Sequence, residues 1–445
     1  MKTVFLETYG CQMNVADSET MAGVLERAGM TLIDRPEDAD AVILNTCAIR
    51  EHAEQRVLGR LGEFARLKQI NPKLVVGVAG CMAQHLRKRL LGKKSRVLDL
   101  VVGPDGYRYL PELLARAAGE PVAEVRLDRD ETYGDLEPRR EPGVRAWITA
   151  QRGCDKFCTY CVVPYTRGRE RSMPLANLIQ QVEQAVEQGF REVVYLGQTV
   201  NSYHDGTHDF ADLLRATERV EGLLRIRFTS PHPSDMSDRV IAAIAECAKV
   251  MPQVHLPMQS ASDTVLEAME RTYSFAAYLE VAARLRAAIP GLALTTDIIV
   301  GFPGETEEDF GATAAALESL RFDNAFLFKY SARPDTKAWR REETVEETEK
   351  GRRLTRLIDV QQRISGEIHD ATIGREVEVL VESIARRNPQ QLYGRTADFK
   401  ALVFQDDGTP PGTLRRLRVV GSTPATLFGE PIAARTAAPA LVQLG

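Results

Sequence analysis

Three cysteines lie close together near the middle of the chain. They belong to the segment Gln151-Arg152-Gly153-Cys154-Asp155-Lys156-Phe157-Cys158-Thr159-Tyr160-Cys161. A tetrahedral zinc site needs four ligands, commonly as two cysteine pairs, and no fourth cysteine or histidine follows nearby. Three thiolates on one short loop can instead hold three corners of a cubane iron–sulfur cluster and leave one iron open to a small molecule. The spacing therefore predicts a cluster site, with a zinc knuckle completed from elsewhere as the alternative.

Length and composition set the class of protein. A chain of 445 residues predicts two or three domains, and shares of 44% apolar and 27% charged residues are typical of soluble globular proteins. We expect no membrane span, since no apolar run reaches about 18 residues, and the apolar run at the N-terminus stops at Glu7. A cytoplasmic location follows as an expectation, in which the seven cysteines act as metal ligands or thiols instead of disulfides. The net charge of −5 does not by itself indicate a nucleic-acid binder.

Residues 1–118 alternate apolar runs with helical patterns, which predicts a doubly wound parallel sheet. The predicted strands are 4–8, 41–46 and 74–79, and the predicted helices are 18–28, 50–68 and 84–91. Cys11, Cys47 and Cys81 each follow one of these strands. Because the carboxyl ends of such strands share one edge of the sheet, we expect a second site with three thiolates. Three inert thiols are the alternative.

A second α/β region follows a segment rich in charge, proline and glycine at 119–143, which we interpret as a linker. The alternation of strand and helix patterns over residues 144–367 predicts a partial (β/α)6 barrel with its active site at the carboxyl ends of the strands. Its predicted strands are 145–150, 192–197, 225–229, 254–258, 293–300 and 325–330, and its clearest helices are 178–187, 278–288 and 307–320. Candidate ligand contacts beside the cysteine loop or at strand ends are Tyr160, Gly197, Gln198, Ser230, Gln259, Ile299 and Gly301.

Residues 368–436 follow a charged helix at 340–367 and predict a small all-β barrel of a kind that often handles single-stranded RNA. Its five predicted strands begin near residues 377, 393, 400, 414 and 425. Phosphate contacts could come from Arg386, Arg387, Arg395, Lys400, Arg415, Arg416 and Arg418. Nearby acidic residues leave packing or solubility as the alternative. Gly92-Lys93-Lys94-Ser95 lacks the earlier glycine of a phosphate-binding loop and is not interpreted as one.

Two motifs carry a family resemblance. Thr8-Tyr9-Gly10-Cys11-Gln12-Met13-Asn14 and Cys161-Val162-Val163-Pro164-Tyr165-Thr166-Arg167-Gly168, together with the cysteine loop and the domain order, resemble the radical S-adenosylmethionine (SAM) methylthiotransferases of the MiaB type. The resemblance covers nearly the whole chain, and in it the last domain is a TRAM-type barrel. Thr199 and Ala261 depart from the residues usual for this branch.

The resemblance implies an enzyme with two [4Fe-4S] clusters. The cluster at Cys154, Cys158 and Cys161 would cleave SAM reductively, with Tyr160 and the strand-end residues as SAM contacts. The resulting radical would activate carbon 2 of isopentenyladenosine beside the tRNA anticodon. The cluster at Cys11, Cys47 and Cys81 would carry the sulfur that becomes the methylthio group.

The same resemblance implies partners and competitors. Expected partners are a tRNA anticodon stem-loop, a low-potential electron donor and iron–sulfur assembly proteins, with the chain as a monomer. Competing substrates are threonylcarbamoyladenosine in tRNA and an aspartate of a ribosomal protein. A non-catalytic, zinc-dependent RNA-binding protein is the alternative from another class.

Overall fold

The computed structural model describes residues 1–47, 51–86, 90 and 97–432. The predicted start of a helix at Arg50, part of its predicted successor at 84–91, the segment Gly92–Ser95 and the predicted end of the last domain at 433–436 lie outside the described residues. No helix in the described part of the chain combines the length and the hydropathy that a membrane span needs.

The N-terminal domain is a parallel sheet of six strands with helices on both faces, as expected. Its strands follow the order β2-β1-β3-β4-β5-β6, and two apolar clusters cover the two faces, one holding α1 and α4 and the other α2 and α3. The strands are β1 (Thr3–Tyr9), β2 (Thr31–Leu32), β3 (Ala41–Thr46), β4 (Val75–Ala79), β5 (Leu100–Val102) and β6 (Val122–Glu124), and the helices are α1 (Gln12–Arg27), α2 (Glu51–Ile70), α3 (Cys81–Leu86) and α4 (Leu110–Ala117).

Strand β6 lies in the segment that the sequence presents as a linker. Val122 pairs with Leu100 of β5 and is buried, so this part of 119–143 completes the sheet of the first domain. Three residues between charged and proline-rich stretches are too few to show a two-residue alternation, which is why the pattern does not reveal this strand.

The central region contains two parallel sheets of three strands, with orders β11-β10-β7 and β12-β13-β14. A parallel bridge between Ile226 and Val250 links β11 to the segment that leads into β12. The strands are β7 (Arg145–Thr149), β8 (Gln151–Arg152), β9 (Arg171–Ser172), β10 (Glu192–Leu196), β11 (Arg225–Phe228), β12 (Gln253–His255), β13 (Ala293–Val300) and β14 (Asn324–Lys329), and the helices are α5 (Val163–Arg167), α6 (Leu175–Glu187), α7 (Phe210–Glu218), α8 (Asp238–Glu246), α9 (Asp263–Ala268), α10 (Phe275–Ala288) and α11 (Glu307–Leu320). All six predicted strands are present.

A long helix joins this region to a closed barrel of five strands, which confirms the all-β prediction. The helix α12 (Glu347–Asp370) continues past the predicted boundary at 367. The barrel order is β15-β16-β17-β19-β18. Its strands are β15 (Glu376–Ile384), β16 (Gln391–Thr396), β17 (Ala401–Gln405), β18 (Leu414–Thr423) and β19 (Thr426–Pro431).

The turn between β16 and β17 docks this barrel against the amino-terminal side of the central strands. Arg225 Nη1 donates to the Arg395 carbonyl at 2.7 Å, and Arg227 Nη2 donates to the Thr396 carbonyl at 3.1 Å. The Phe399 ring lies 4.6 Å from the Arg227 guanidinium and 4.3 Å from that of Arg395, within the range of cation–π attraction. The C-terminal barrel therefore has a fixed position, opposite the carboxyl ends of the central strands.

Candidate active site

The loop with the three closely spaced cysteines follows β8 and is held by its backbone. Cys154 N donates to the Gly168 carbonyl at 3.1 Å, and Cys161 N donates to the Cys158 carbonyl at 3.0 Å. Gly153 has φ of +78°, and a Cβ there would lie 2.0 Å from the Arg169 carbonyl oxygen. Only glycine fits this close approach of the backbone before Cys154 to the Arg169 carbonyl.

The thiols of this loop influence one another. Burial, together with the charges of the nearby Cys158 and Cys154 thiols, raises the pKa of Cys161 to about 12. Cys154 Sγ lies 3.2 Å from Thr199 Oγ1, and Arg271 Nη1 donates to Cys158 Sγ at 3.4 Å. A cationic donor beside a sulfur stabilises its thiolate, which is the form that binds metal.

The three cysteines of the N-terminal domain come together at the carboxyl edge of its sheet. Cys11 caps α1, Cys47 directly follows β3, and Cys81 begins α3 after β4. A hydrogen bond with the Cys47 thiol lowers the pKa of Cys11 to about 6, against the opposing effect of burial, and the Arg167 cation adds to the lowering. Burial raises the pKa of Cys81, on which Cys11 and Arg167 also act.

Arg167 of the central region reaches the thiols of the N-terminal domain. Its Nε donates to Cys81 Sγ at 3.1 Å and its Nη2 donates to Asp17 Oδ2 at 2.6 Å, although α5, which carries it, follows the cysteine loop of the other domain. Cys81 also packs against Val162, the neighbour of Cys161. The two predicted thiol sites therefore adjoin one interface between the first and second domains.

Two of the predicted ligand contacts, Tyr160 and Ile299, pack against one apolar cluster that contains Phe302 and Tyr330. Gln198 Oε1 accepts a hydrogen bond from Gly153 N at 2.6 Å. A Cβ on Gly197 would lie 2.9 Å from Gln151 Oε1. These residues thus line or brace the carboxyl ends of the central strands.

Two of the other predicted contacts have backbone conformations that are uncommon for residues other than glycine. Ser230 and Gln259 have φ of +58° and +67°. Gly301 has φ of +72°, and its N donates to Glu305 Oε2 at 2.6 Å. Gln259 Oε1 is buried and has no hydrogen-bond partner among the described residues. Strained backbone and unpaired buried atoms collect at ligand sites.

Several polar residues at this site carried no role in the sequence interpretation. The His232 ring is buried edge-on to Tyr273, and its Nε2 has no partner in the described chain. Glu170 accepts from Asp155 N at 3.2 Å and from Ser202 Oγ at 2.9 Å, and burial raises its pKa. Arg167 belongs to the second of the two resemblance motifs, but its partners Cys81 and Asp17 are distant in sequence.

No group of three or more His, Cys, Asp or Glu side chains in the described ranges is arranged to bind a single metal ion. The convergence of each cysteine set therefore rests on the contacts and mutual charge effects above.

Two models of known protein families match parts of this chain. Residues 3–103 match the uncharacterized protein family UPF0004, and residues 148–317 match the radical SAM superfamily. A protein of Chloroherpeton thalassium named tRNA-2-methylthio-N(6)-dimethylallyladenosine synthase is 44% identical over 432 residues, which is 96% of this chain and 95% of the relative. A protein of the same name from Bacteroides thetaiotaomicron is 44% identical over 440 residues, 97% of this chain and 96% of the relative.

This chain belongs to the tRNA-2-methylthio-N(6)-dimethylallyladenosine synthase family. Among solved structures, the radical SAM methyltransferase TsrM from Kitasatospora setae aligns with a TM-score of 0.57 at 16% identity, over 76% of this chain and 74% of that one. At this identity the likeness supports the fold alone.

Proposed function

We infer that the chain is a radical SAM enzyme that adds a methylthio group to carbon 2 of N6-dimethylallyladenosine (isopentenyladenosine) beside the anticodon of tRNA. The observation that carries this proposal is the pair of three-cysteine sets beside one interface, where Cys81 contacts Val162 and Arg167 of the central region, in a chain of this family. The names of the relatives specify dimethylallyladenosine, so threonylcarbamoyladenosine, a ribosomal aspartate and a zinc-dependent binding role are not favoured.

Cys154, Cys158 and Cys161 would hold a [4Fe-4S] cluster through three thiolates. The donor set fits, since three thiols share one loop beside the Arg271 cation. In a cubane cluster the three thiolates bind three different iron atoms, so the thiols need not converge on the position of a single metal ion. When reduced, this cluster supplies the electron that splits the sulfonium of SAM.

SAM would lie against the carboxyl ends of the central strands. We assign Tyr160, Gly197, Gln198, Ser230, Gln259, Ile299 and Gly301 to its binding. The support is that Gln259 offers a buried, unpaired oxygen, while Tyr160 and Ile299 offer apolar surface for an adenine ring.

Cys11, Cys47 and Cys81 would hold a second [4Fe-4S] cluster. The fit rests on the contact between Cys11 and Cys47 and on the Arg167 donor at Cys81. Bound there, the cluster provides the place where the sulfur to be transferred is kept. All six cysteines are thus assigned as metal ligands and as catalytic residues.

The domain assignments are part of the proposal. Residues 1–118 would form the methylthiotransferase domain, 119–143 a linker segment, 144–367 a partial (β/α)6 radical SAM barrel and 368–436 a TRAM-type domain that binds RNA. The bridge between Ile226 and Val250 supports one barrel of six strands. Strand β6 lies within the segment 119–143, and α12 continues to Asp370, past the proposed boundary at 367.

The partners follow from the same proposal. The C-terminal barrel would grip the anticodon stem-loop, and a low-potential donor and iron–sulfur assembly proteins would serve the clusters. The chain would act as a cytoplasmic monomer.

Nucleoside analysis of tRNA tests the function. In cells that lack this protein, mass spectrometry should find isopentenyladenosine without its 2-methylthio derivative, and the wild-type gene should restore the derivative. Unchanged 2-methylthio-isopentenyladenosine, with loss of another modified nucleoside or of none, would contradict the proposal.

A further inference from the structure

Two half-exposed aromatic side chains lie on β14, the edge strand of its sheet. Phe326 is 52% exposed and Phe328 is 46% exposed. Aromatic side chains of this size are normally well buried because they carry much apolar surface. Apolar surface that stays open on a folded protein often marks a binding site. These two rings are therefore candidates for a ligand contact that neither proposed cluster needs.

Both rings lie on the inner face of the central strands, the face away from the outer helices. The Phe326 ring lies edge-on to the His255 ring of β12, with 5.8 Å between the ring centres, whereas Leu327 packs against the core beneath the helices. Phe328 pairs in register with Ile299 of β13. Because neighbouring strands lie about 5 Å apart, Phe328 is directly beside a proposed SAM contact.

A groove of about 600 Å³ follows the same edge of β14, a volume in the range of ligand sites. Strand β14, one face of α12 and the turn between β18 and β19 form its three walls. They contribute, among others, Phe326, Phe328, Ile358, Gln362, Thr423 and Pro424. The lining side chains, all in described segments, are apolar groups, amides and hydroxyls, and none of them is charged. Such a lining suits a flat, neutral group with hydrogen-bonding edges.

The groove lies between the two regions that the proposed function requires. Its wall from the C-terminal barrel is near the amino-terminal end of β14, since His369 Nδ1 contacts the Thr423 carbonyl at 2.7 Å and Ser365 Oγ donates to the Asp323 carbonyl at 2.9 Å. The other end of β14 leads to the proposed SAM site. A strand of six residues spans about 20 Å. RNA held by the C-terminal barrel must cover this distance to bring a base to the carboxyl ends of the strands.

We propose that Phe326 and Phe328 form a stacking platform for an unpaired nucleotide of the anticodon loop, next to the adenosine that is modified. This inference rests on the proposed function and adds a second RNA contact to it. The two rings offer apolar faces to the base, while amides and hydroxyls such as Gln362 and Thr423 can meet its edges. Stacking on aromatic rings accepts any base, so the platform positions the RNA without restricting its sequence.

Fluorescence anisotropy with a synthetic anticodon stem-loop containing isopentenyladenosine tests the inference on the full chain with both clusters reconstituted. Phe326→Ala and Phe328→Ala should each raise the Kd about fivefold to hundredfold, the usual loss for one stacked base. The slope of log Kd against log salt should keep its wild-type value, because no phosphate contact is removed. Phe326→Tyr and Phe328→Tyr keep the ring and should bind within about twofold of wild type.

Abasic stem-loops identify the stacked base. Each unpaired loop position is made abasic in turn, and the Kd is measured for wild type and for Phe328→Ala. At the stacked position the alanine substitution should cause no further loss, because the ring has no base left to contact. This coupling between one ring and one base is the signature of direct contact, and a purely structural role of Phe328 would not produce it.

Leu279→Ala is the matched control. Leu279 is 38% exposed on α10, whose residues Tyr278 and Val281 face the core. The variant removes a half-exposed apolar side chain from the outer surface of the same region. We expect its Kd for the stem-loop to stay within about twofold of wild type.

The outcomes separate this inference from the proposed function. If wild type binds the stem-loop and the alanine variants bind it as tightly, or if no abasic position couples to Phe328, the platform is overturned. The groove would then serve another ligand, such as an extended peptide along the free strand edge. If wild type does not bind the stem-loop at all, the proposed RNA substrate falls first, and this inference falls with it.

Discussion

At the scale of single residues, His232 stands out as an imidazole kept neutral beside cations. Burial lowers its pKa to about 2, with contributions from the charges of Arg271 and Lys156. Its Nδ1 accepts a hydrogen bond from Ser234 N at 3.3 Å, which also requires an unprotonated nitrogen. The fold therefore selects the neutral ring.

This selection predicts a dependence of stability on pH. The unfolded chain takes up a proton on His232 below its ordinary pKa of about 6.5, whereas the folded chain does not until the pH nears 2. Folding stability is therefore lost as the pH falls below about 6.5. Between pH 6 and pH 5, wild type should lose about 1 kcal/mol more than His232→Gln.

Urea unfolding at pH 5, 6 and 7 measures the difference. If the free energy of unfolding changed equally with pH in wild type and His232→Gln, the ring would be protonated in the folded protein, or its surroundings would not oppose the charge.

Sequence alone could place the cysteines but not their cationic neighbours. The spacing of Cys154, Cys158 and Cys161 is a local pattern, and each of the other three cysteines directly follows a predicted strand. Both features are visible in a single sequence. Arg167 and Cys81 are 86 residues apart, and Arg271 and Cys158 are 113 apart. Such pairs depend on how domains and barrel strands pack, which no local pattern shows.

At the scale of elements, most basic side chains of the C-terminal barrel already have acidic neighbours. Arg395 lies near Glu382, Lys400 pairs with Asp323 of the central region, Arg415 pairs with Asp407, and Arg416 and Arg418 flank Glu376. Arg386 and Arg387, after β15, are exposed and form no ion pair with a described residue. These two side chains are the ones best placed to neutralise phosphates.

We expect the double substitution of Arg386 and Arg387 by Ala to weaken binding of an anticodon stem-loop and to make log Kd less dependent on log salt, by roughly one to two units of slope. Fluorescence anisotropy across a salt series measures both. The double substitution of Arg416 and Arg418 by Ala is the control, and its slope should change less because Glu376 already compensates those charges. Identical slopes for wild type and the first variant would place the phosphate contacts on another surface.

Removing the whole C-terminal barrel would test its role in RNA binding less cleanly than these substitutions. Arg225 and Arg227 donate to its backbone, so truncation would remove these acceptors from two buried guanidiniums of the central domain. The sequence did predict the barrel, since its strands alternate strongly, but it gave no sign of this docking.

At the scale of the molecule, Asp17 ties the first domain to the second. It lies on α1 and binds Arg152 and Arg167 of the central region, and those two cations hold its pKa below the ordinary value despite the opposing effect of burial. Strand–helix alternation predicted the separate domains. It could not predict their interface, because the three residues become neighbours only after both domains have folded.

We expect Asp17→Asn to lower the free energy of unfolding by about 3–5 kcal/mol, because two buried guanidiniums lose their counter-charge. Asp38→Asn is the control, since Asp38 forms an exposed ion pair with Arg35, and it should cost less than about 1 kcal/mol. Urea unfolding compares them, and equal small effects would mean that water or another acidic group compensates the two arginines.

The most direct test of the account follows both halves of the reaction in one assay. Anaerobically reconstituted variants are given SAM, a reductant and tRNA containing isopentenyladenosine, and mass spectrometry measures 5′-deoxyadenosine and 2-methylthio-isopentenyladenosine. Cys47→Ala should still form 5′-deoxyadenosine but no methylthio product, Cys158→Ala should form neither, and Cys247→Ala, which removes a buried thiol at the end of α8, should form both. Methylthio product from Cys47→Ala, or 5′-deoxyadenosine at the wild-type rate from Cys158→Ala, would contradict the assignment of two separate cluster sites.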